Sequence, residues 1–232
     1  VAKQMNVPQV GSGLTLEVFL TLKDDILNGR YGANETLPVE QICQELEVSR
    51  SPIMAALRLL ADRGLVVIQP QVGCRVASFS ETEVRDFLRI FASTESALAE
   101  LAAERRSEEH LARMASAIER LAQAREAEDL IAARHCNREF HSLMHEAAQT
   151  RLMSDQSNRM WDIRDVIIRT SNIPRMPQVV AHFDHEHTEI IEALRNEDVA
   201  RARALVEHHV YGVLDFLHPS ADFHISDALV NK

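Results

Sequence analysis

Hydrophobic and polar positions follow one rhythm up to about residue 78 and another after it. In the first part, Leu16, Phe19, Leu20, Lys23, Ile26 and Leu27 recur at helical spacing, and Asn28-Gly29 ends the run. Pro38 suits a first helical turn, and Val39 to Leu46 reads as a short helix with Ile42 and Leu46 inward. A turn, Val48-Ser49-Arg50-Ser51-Pro52, precedes a third helix, with Ser51 as N-cap, Pro52 at the first helical position and Gly64 as the stop. Ile53, Leu57 and Leu60 form one face of that helix, while Arg50, Met54 and Arg58 lie on another. Leu65 to Ile68 and Cys74 to Ala77 then read as two short strands around Gln69-Pro70-Gln71-Val72-Gly73.

After residue 78 the period is helical throughout. Six segments are predicted, near 81–104, 108–127, 129–148, 151–170, 176–196 and 198–217. Ser80 with Glu83 forms a capping-box signal for the first, and Asn172-Ile173-Pro174 with Pro177 breaks the chain between the fourth and fifth. Short connections predict antiparallel neighbours in a bundle. The expected organisation is a loose tail over 1–13, a helix-rich unit with a hairpin over 14–78, an all-helical unit over 79–218 and an irregular tail over 219–232.

Composition supports a mainly α protein. Of 232 residues, 46% are hydrophobic, aromatics are only 5%, and Gly and Pro number 7 each. Three cysteines, Cys43, Cys74 and Cys136, are odd in number and lack paired spacing, so they read as reduced thiols in a cytoplasmic protein. No apolar run reaches the roughly 18 residues of a spanning helix, and the start lacks a secretory hydrophobic core. The net charge of −10 argues against nucleic acid as a partner for the whole surface, but not for a small head on an acidic body.

Helix, short helix, turn, helix and hairpin is the order of a winged helix-turn-helix, whose second turn helix enters the major groove. A small helical domain with a hairpin and no nucleic acid fits the same spacing. Val48-Ser49-Arg50-Ser51-Pro52, Ala56-Leu57-Arg58-Leu59-Leu60 and Gly64-Leu65-Val66 resemble the DNA-binding head of the GntR family of bacterial transcription regulators. The later helices, with Phe140-His141 and spaced histidines, resemble the FCD ligand-binding domain of its FadR-type branch, and six helices suggest the VanR-like subgroup. The resemblance spans nearly all of residues 14–217. It implies a homodimer on a palindromic double-stranded operator. Arg50, Ser51, Met54 and Arg58 would contact DNA, and the wing tip with Gln71 and Gly73 would approach the minor groove. Two positions depart from the family: Met54-Ala55 stands where Arg-Glu is usual, and Glu40 stands where some members carry an arginine. Methionine cannot make the bidentate guanine contact of an arginine, so an unusual operator preference or weaker binding is expected.

Eleven histidines occur, and periodicity sorts them. In the third long segment Phe140, Leu143, Met144, Ala147 and Ala148 point inward, with Asn137 and His141 stacked one turn apart beside that face. His187 shares a stripe with Ile190, Ile191 and Leu194, and His209 shares one with Val199, Ala202, Val206 and Val213. His182, His185 and His208 face away, and His135 and His145 rank below the inward set. Three imidazoles converging from three helices suit a divalent first-row metal such as zinc, nickel or manganese. The FCD resemblance implies the same four positions, with Asn137 where metal-binding members carry Asp, which predicts weaker affinity.

Core histidines bonded to neighbours are the bland alternative. A zinc hydrolase is a further one, but no HExxH and no general base stand out. No Gly-rich phosphate loop is present either, so an enzyme is not expected. The expected function is a ligand-responsive transcription regulator, a repressor, whose helical domain binds a small carboxylate metabolite through the metal. Arg105, Arg134, Arg138, Arg164 and Arg169 are its candidate anion partners, each first read as a surface or salt-bridge arginine. A metal-free pocket for a larger acyl-type ligand is kept open by Asn137, and a metalloenzyme fused to a DNA-binding head is the remote third reading.

Overall fold

The computed structural model describes residues 13–170 and 177–214, the side chains of 177–184 excepted. The N-terminal tail up to residue 12, the break at 172–174 and everything after 214 fall outside the described residues. The fold divides into two compact units at Ser78, with 165–170 grouped with the first.

In the head, α1 (Gly13–Leu27), α2 (Val39–Glu45) and α3 (Arg50–Asp62) precede the antiparallel pair β1 (Val66–Gln69) and β2 (Gly73–Val76). Each helix buries the face its periodicity predicts: Val18, Leu22 and Ile26 from α1, Ile42 from α2, and Ile53, Ala56, Leu57 and Leu60 from α3. The N-cap differs from expectation. Ser49, with extended backbone, precedes the helix, and Arg50, Ser51 and Pro52 form its first turn. Proline is tolerated at any of these positions because the first N–H groups have no intrahelical partner. Gly64, at φ +74, ends α3: its N–H reaches Ala61 O and that of Leu65 reaches Leu60 O, the paired bonds of a Schellman motif. The strands pair Val66 with Val76 and Gln69 with Gly73, one residue off the expected ranges at each end. Thr36 adds a backbone bridge to Arg75, which ties the α1–α2 connection to the hairpin.

The body holds α4 (Glu81–Arg105), α5 (Glu108–Glu126), α6 (Leu130–Ala147), α7 (Arg151–Thr170) as far as Arg164, α8 (Pro177–Arg195) and α9 (Val199–Tyr211). The Ser80–Glu83 capping box is present in both directions. Sequence neighbours pack in the pairs α5–α6 and α8–α9, but the most extensive packing joins α4 to α9, the first and last helices. Phe91, Met114, Phe140, Trp161, Ile190 and Val206, from six different helices, are all buried in this unit.

Two corners use one device. Glu128 and Glu197 sit in the left-handed region at φ +55 and +54. Their N–H groups bond Arg125 O and Leu194 O, and the following Asp129 and Asp198 bond Ala124 O and Ala193 O. Those aspartates at once cap the next helix, accepting from Ala132 N at 2.9 Å and Arg201 N at 3.0 Å. The residue that closes one helix therefore opens the next, and α5–α6 and α8–α9 are held as tight hairpins.

Candidate functional site

In the head, α3 turns its apolar face inward and leaves Arg50, Ser51 and Arg58 exposed, with Met54 half-buried. Glu40 of α2 forms an ion pair with Arg50 across the turn, and both side chains are largely in solvent. At the wing tip Gln71 and Gly73 are exposed, with positive φ of +64 and +126. No side chain could take the Gly73 angle without strain. A phosphate approaching Arg50 would compete with the Glu40 carboxylate.

In the body, His141 from α6, His187 from α8 and His209 from α9 are buried and converge. One ring nitrogen from each lies within 4.8 Å of the others. Ring centroids are 4.5 Å apart for His187 and His209 and 5.3 Å for His141 and His209. Nitrogens bound to one tetrahedral ion at about 2.0–2.1 Å would stand roughly 3.4 Å apart, so a small contraction would complete the set. Burial, reinforced by His209 and His187, holds His141 well below the usual imidazole range, and burial lowers His209 despite the opposing bond to Glu186. Neutral rings keep the lone pairs that a metal needs.

The donors themselves test the fit. Both ring nitrogens of His141 are buried without a hydrogen bond among the described residues, a state that costs about 1–3 kcal/mol per group unless something else satisfies it. A core histidine kept for packing alone would have found a neighbour. Asn137 sits one turn before His141, half-buried.

Two carboxylates unforeseen from the sequence stand behind this cluster. Glu186 Oε2 lies 2.7 Å from His209 Nδ1. Glu95 of α4 is fully buried, with both its oxygens 3.0 Å from His145 Nε2 and a hydrogen bond from Ser157. His145, ranked below the inward set by its sequence position, is thus a buried partner of Glu95. Both acids were visible as charges on apolar stripes: Glu95 follows Leu88 and Phe91, and Glu186 precedes Ile190 and Leu194. Trp161 was also missed. Its ring packs 4.2 Å from that of His141, and its buried Nε1–H has no hydrogen-bond partner among the described residues.

The candidate arginines separate. Arg138 and Arg164 flank Trp161, at 5.4 and 4.7 Å from its ring centroid. Arg138 also donates to Asn158 O at 2.6 Å and lies 3.3 Å from Asp162. Arg105 instead straps the end of α6 through Ala148 O at 2.8 Å. Arg134 contacts His135 at the surface, and Arg169 is exposed in the last turn of α7. Glu139 pairs outward with Arg120 at 2.8 Å, and His185 is exposed. The side chain of His182 lies outside the described residues.

Comparison with known proteins decides the family. Residues 14–76 match the gntR family of bacterial regulatory proteins, and residues 86–212 match the FCD domain. The chain belongs to the GntR family and carries an FCD domain. The transcriptional repressor GlaR of Escherichia coli is 25% identical over 206 residues, 84% of this chain and 92% of that protein. The transcriptional repressor RspR of the same organism is 26% identical over 202 residues, 83% of this chain and 84% of that protein. The structure of E. coli McbR/YncC superposes with a TM-score of 0.80 at 19% identity, over 90% of this chain and 99% of that one, which shows a shared fold. This GntR-family chain is a DNA-binding transcription regulator, and its families and relatives are regulators rather than enzymes. No described helix is long and apolar enough to cross a membrane.

Proposed function

We propose that the chain is a homodimeric repressor, working in the cytoplasm on a palindromic operator and released or engaged by a small carboxylate metabolite. Relatives named as repressors support the sign of regulation. On the head, α3 would enter the major groove with Arg50, Ser51, Met54 and Arg58, and Gln71 and Gly73 would lie toward the minor groove. The six-helix body supports the VanR-like subgroup.

The observation that carries the effector half is the convergence of three buried imidazoles, one with neither nitrogen hydrogen-bonded among the described residues. His141, His187 and His209 would hold a divalent ion, zinc, nickel or manganese, with Asn137 as a neutral fourth donor. A bound ion supplies open coordination positions for carboxylate oxygens. The unpartnered Trp161 N–H and the guanidinium groups of Arg138 and Arg164 beside it favour an anionic ligand. A ligand that prefers one placement of the heads shifts the population toward it, and fixed half-site spacing converts that shift into operator affinity.

Metal analysis after mild purification tests this reading. About one equivalent per chain is expected, and less than about a tenth would favour the metal-free pocket that Asn137 also suits. His141→Ala is expected to abolish retention of the ion and the response to organic acids while leaving operator binding within about threefold. Equal loss of both would refute the division of roles.

A further inference from the structure

Glu186 and His209 form a buried pair, 6% and 3% exposed, across the α8–α9 hairpin. A carboxylate only accepts hydrogen bonds, so the 2.7 Å contact requires that His209 Nδ1 carry the proton and donate it. The lone pair of the ring then resides on Nε2. Histidine tautomers in metal sites are set in this way by the bond that the far nitrogen makes. His141 has a related arrangement. Its Nδ1 lies 3.7 Å from Glu95 Oε2, beyond a hydrogen bond but on the same side of the ring, while His145 and Ser157 hold that carboxylate in place. A carboxylate therefore stands behind each of two rings, on two different helices. Burying an acid costs several kcal/mol unless it is bonded, and Glu186 meets that cost with His209 and with His208 at 3.4 Å.

We propose that Glu186 is a positioning residue that presents Nε2 of His209 to a divalent ion, with Glu95 in the corresponding place behind His141. The proposal rests on the metal reading of the three-histidine site. Because Glu186 and His187 are adjacent on α8, one helix supplies both a ligand and the support of another ligand. A shift of α8 would then disturb two of the three imidazoles together.

The test uses the full chain, stripped with a chelator and titrated with cobalt(II), whose visible d–d bands report ligand number and geometry. Glu186→Ala is expected to weaken cobalt(II) binding by about 10- to 100-fold and to shift the bands. Glu186→Gln keeps an acceptor oxygen and should recover part of that loss. In a His209→Ala background, Glu186→Ala should add no further loss, because its effect passes through His209. Independently of any metal, long-range 1H–15N correlation spectra of the metal-free wild type should show His209 as the Nδ1–H tautomer. Unchanged affinity and bands in Glu186→Ala, an undiminished loss without His209, or the Nε2–H tautomer would each overturn the proposal. If the wild type binds no cobalt(II), the metal reading itself fails and takes this inference with it. If the wild type binds and Glu186→Ala binds equally well, only the inference fails.

Discussion

The head and the body carry their chemistry on opposite sides of their surfaces. The head shows Arg50, Ser51 and Arg58 to solvent and buries no charged side chain among Gly13–Ser78, whereas the body hides His141, His187, His209, Glu95 and Glu186 in its core. An exposed polar residue is already hydrated and can change without consequence for folding. A buried one must be satisfied by something, so its presence is information about a partner. By that contrast, a change at exposed Glu40 would leave the head fold intact, whereas a change at buried His141 would not be neutral.

Four experiments bear on the contrast, the largest effect first. Leu57→Ala, in the fully buried face of α3, should cost about 2–5 kcal/mol. Operator binding should be lost in a gel-shift assay while metal retention persists; loss of both would show that the units do not fold separately. The second concerns acid. In the metal-free protein the folded state keeps His141 and His209 below their unfolded value near 6.5, so the unfolded chain binds more protons below that pH. Stability is therefore full above about pH 6.5 and declines as pH falls, by at most about 1.4 kcal/mol per unit for each histidine. Thermal unfolding at pH 7.5 and 5.5 measures this, and His141→Ala should flatten the slope.

The third and fourth act at the surface. Met54→Arg adds a guanidinium at a half-buried position of α3 and should sharpen preference for guanine at one operator position by about 1–3 kcal/mol, read by competition with single-base variants. Unaltered preference would mean that this residue does not face the bases. Glu40→Gln removes the carboxylate that holds Arg50 and should strengthen operator binding by about two- to fivefold at moderate salt. No gain, or the same gain with an Arg50→Ala partner, would show that the pair does not compete with phosphate.

Helix periods were legible because each segment has one buried stripe, and the three histidines could be chosen because they sit on those stripes. The ends of helices were less legible. Glu128 and Glu197 occupy left-handed corners where glycine is the usual signal, and glutamate reads as a helix former. Only the aspartates that follow them marked the breaks. Ser51 reads as a cap because serine before proline suits that role, but the helix starts two residues earlier, after Ser49, which lacks that proline signal. Glu95 and Glu186 were legible in principle as charges on apolar stripes. Their partners His145 and Ser157 were not, because which helices face each other is set by three-dimensional packing, and here α4 meets α6 and α7 at Glu95.

Trp161 is the single tryptophan of the chain, and its ring lies against His141. All indole emission therefore arises beside the candidate centre, from a buried ring flanked by two guanidinium groups. A paramagnetic ion on the adjacent imidazole would quench that light, and an arriving anion would move its wavelength by altering the local field. The protein thus contains its own optical gauge of the site, readable in dilute solution without a label and separable from events on the operator.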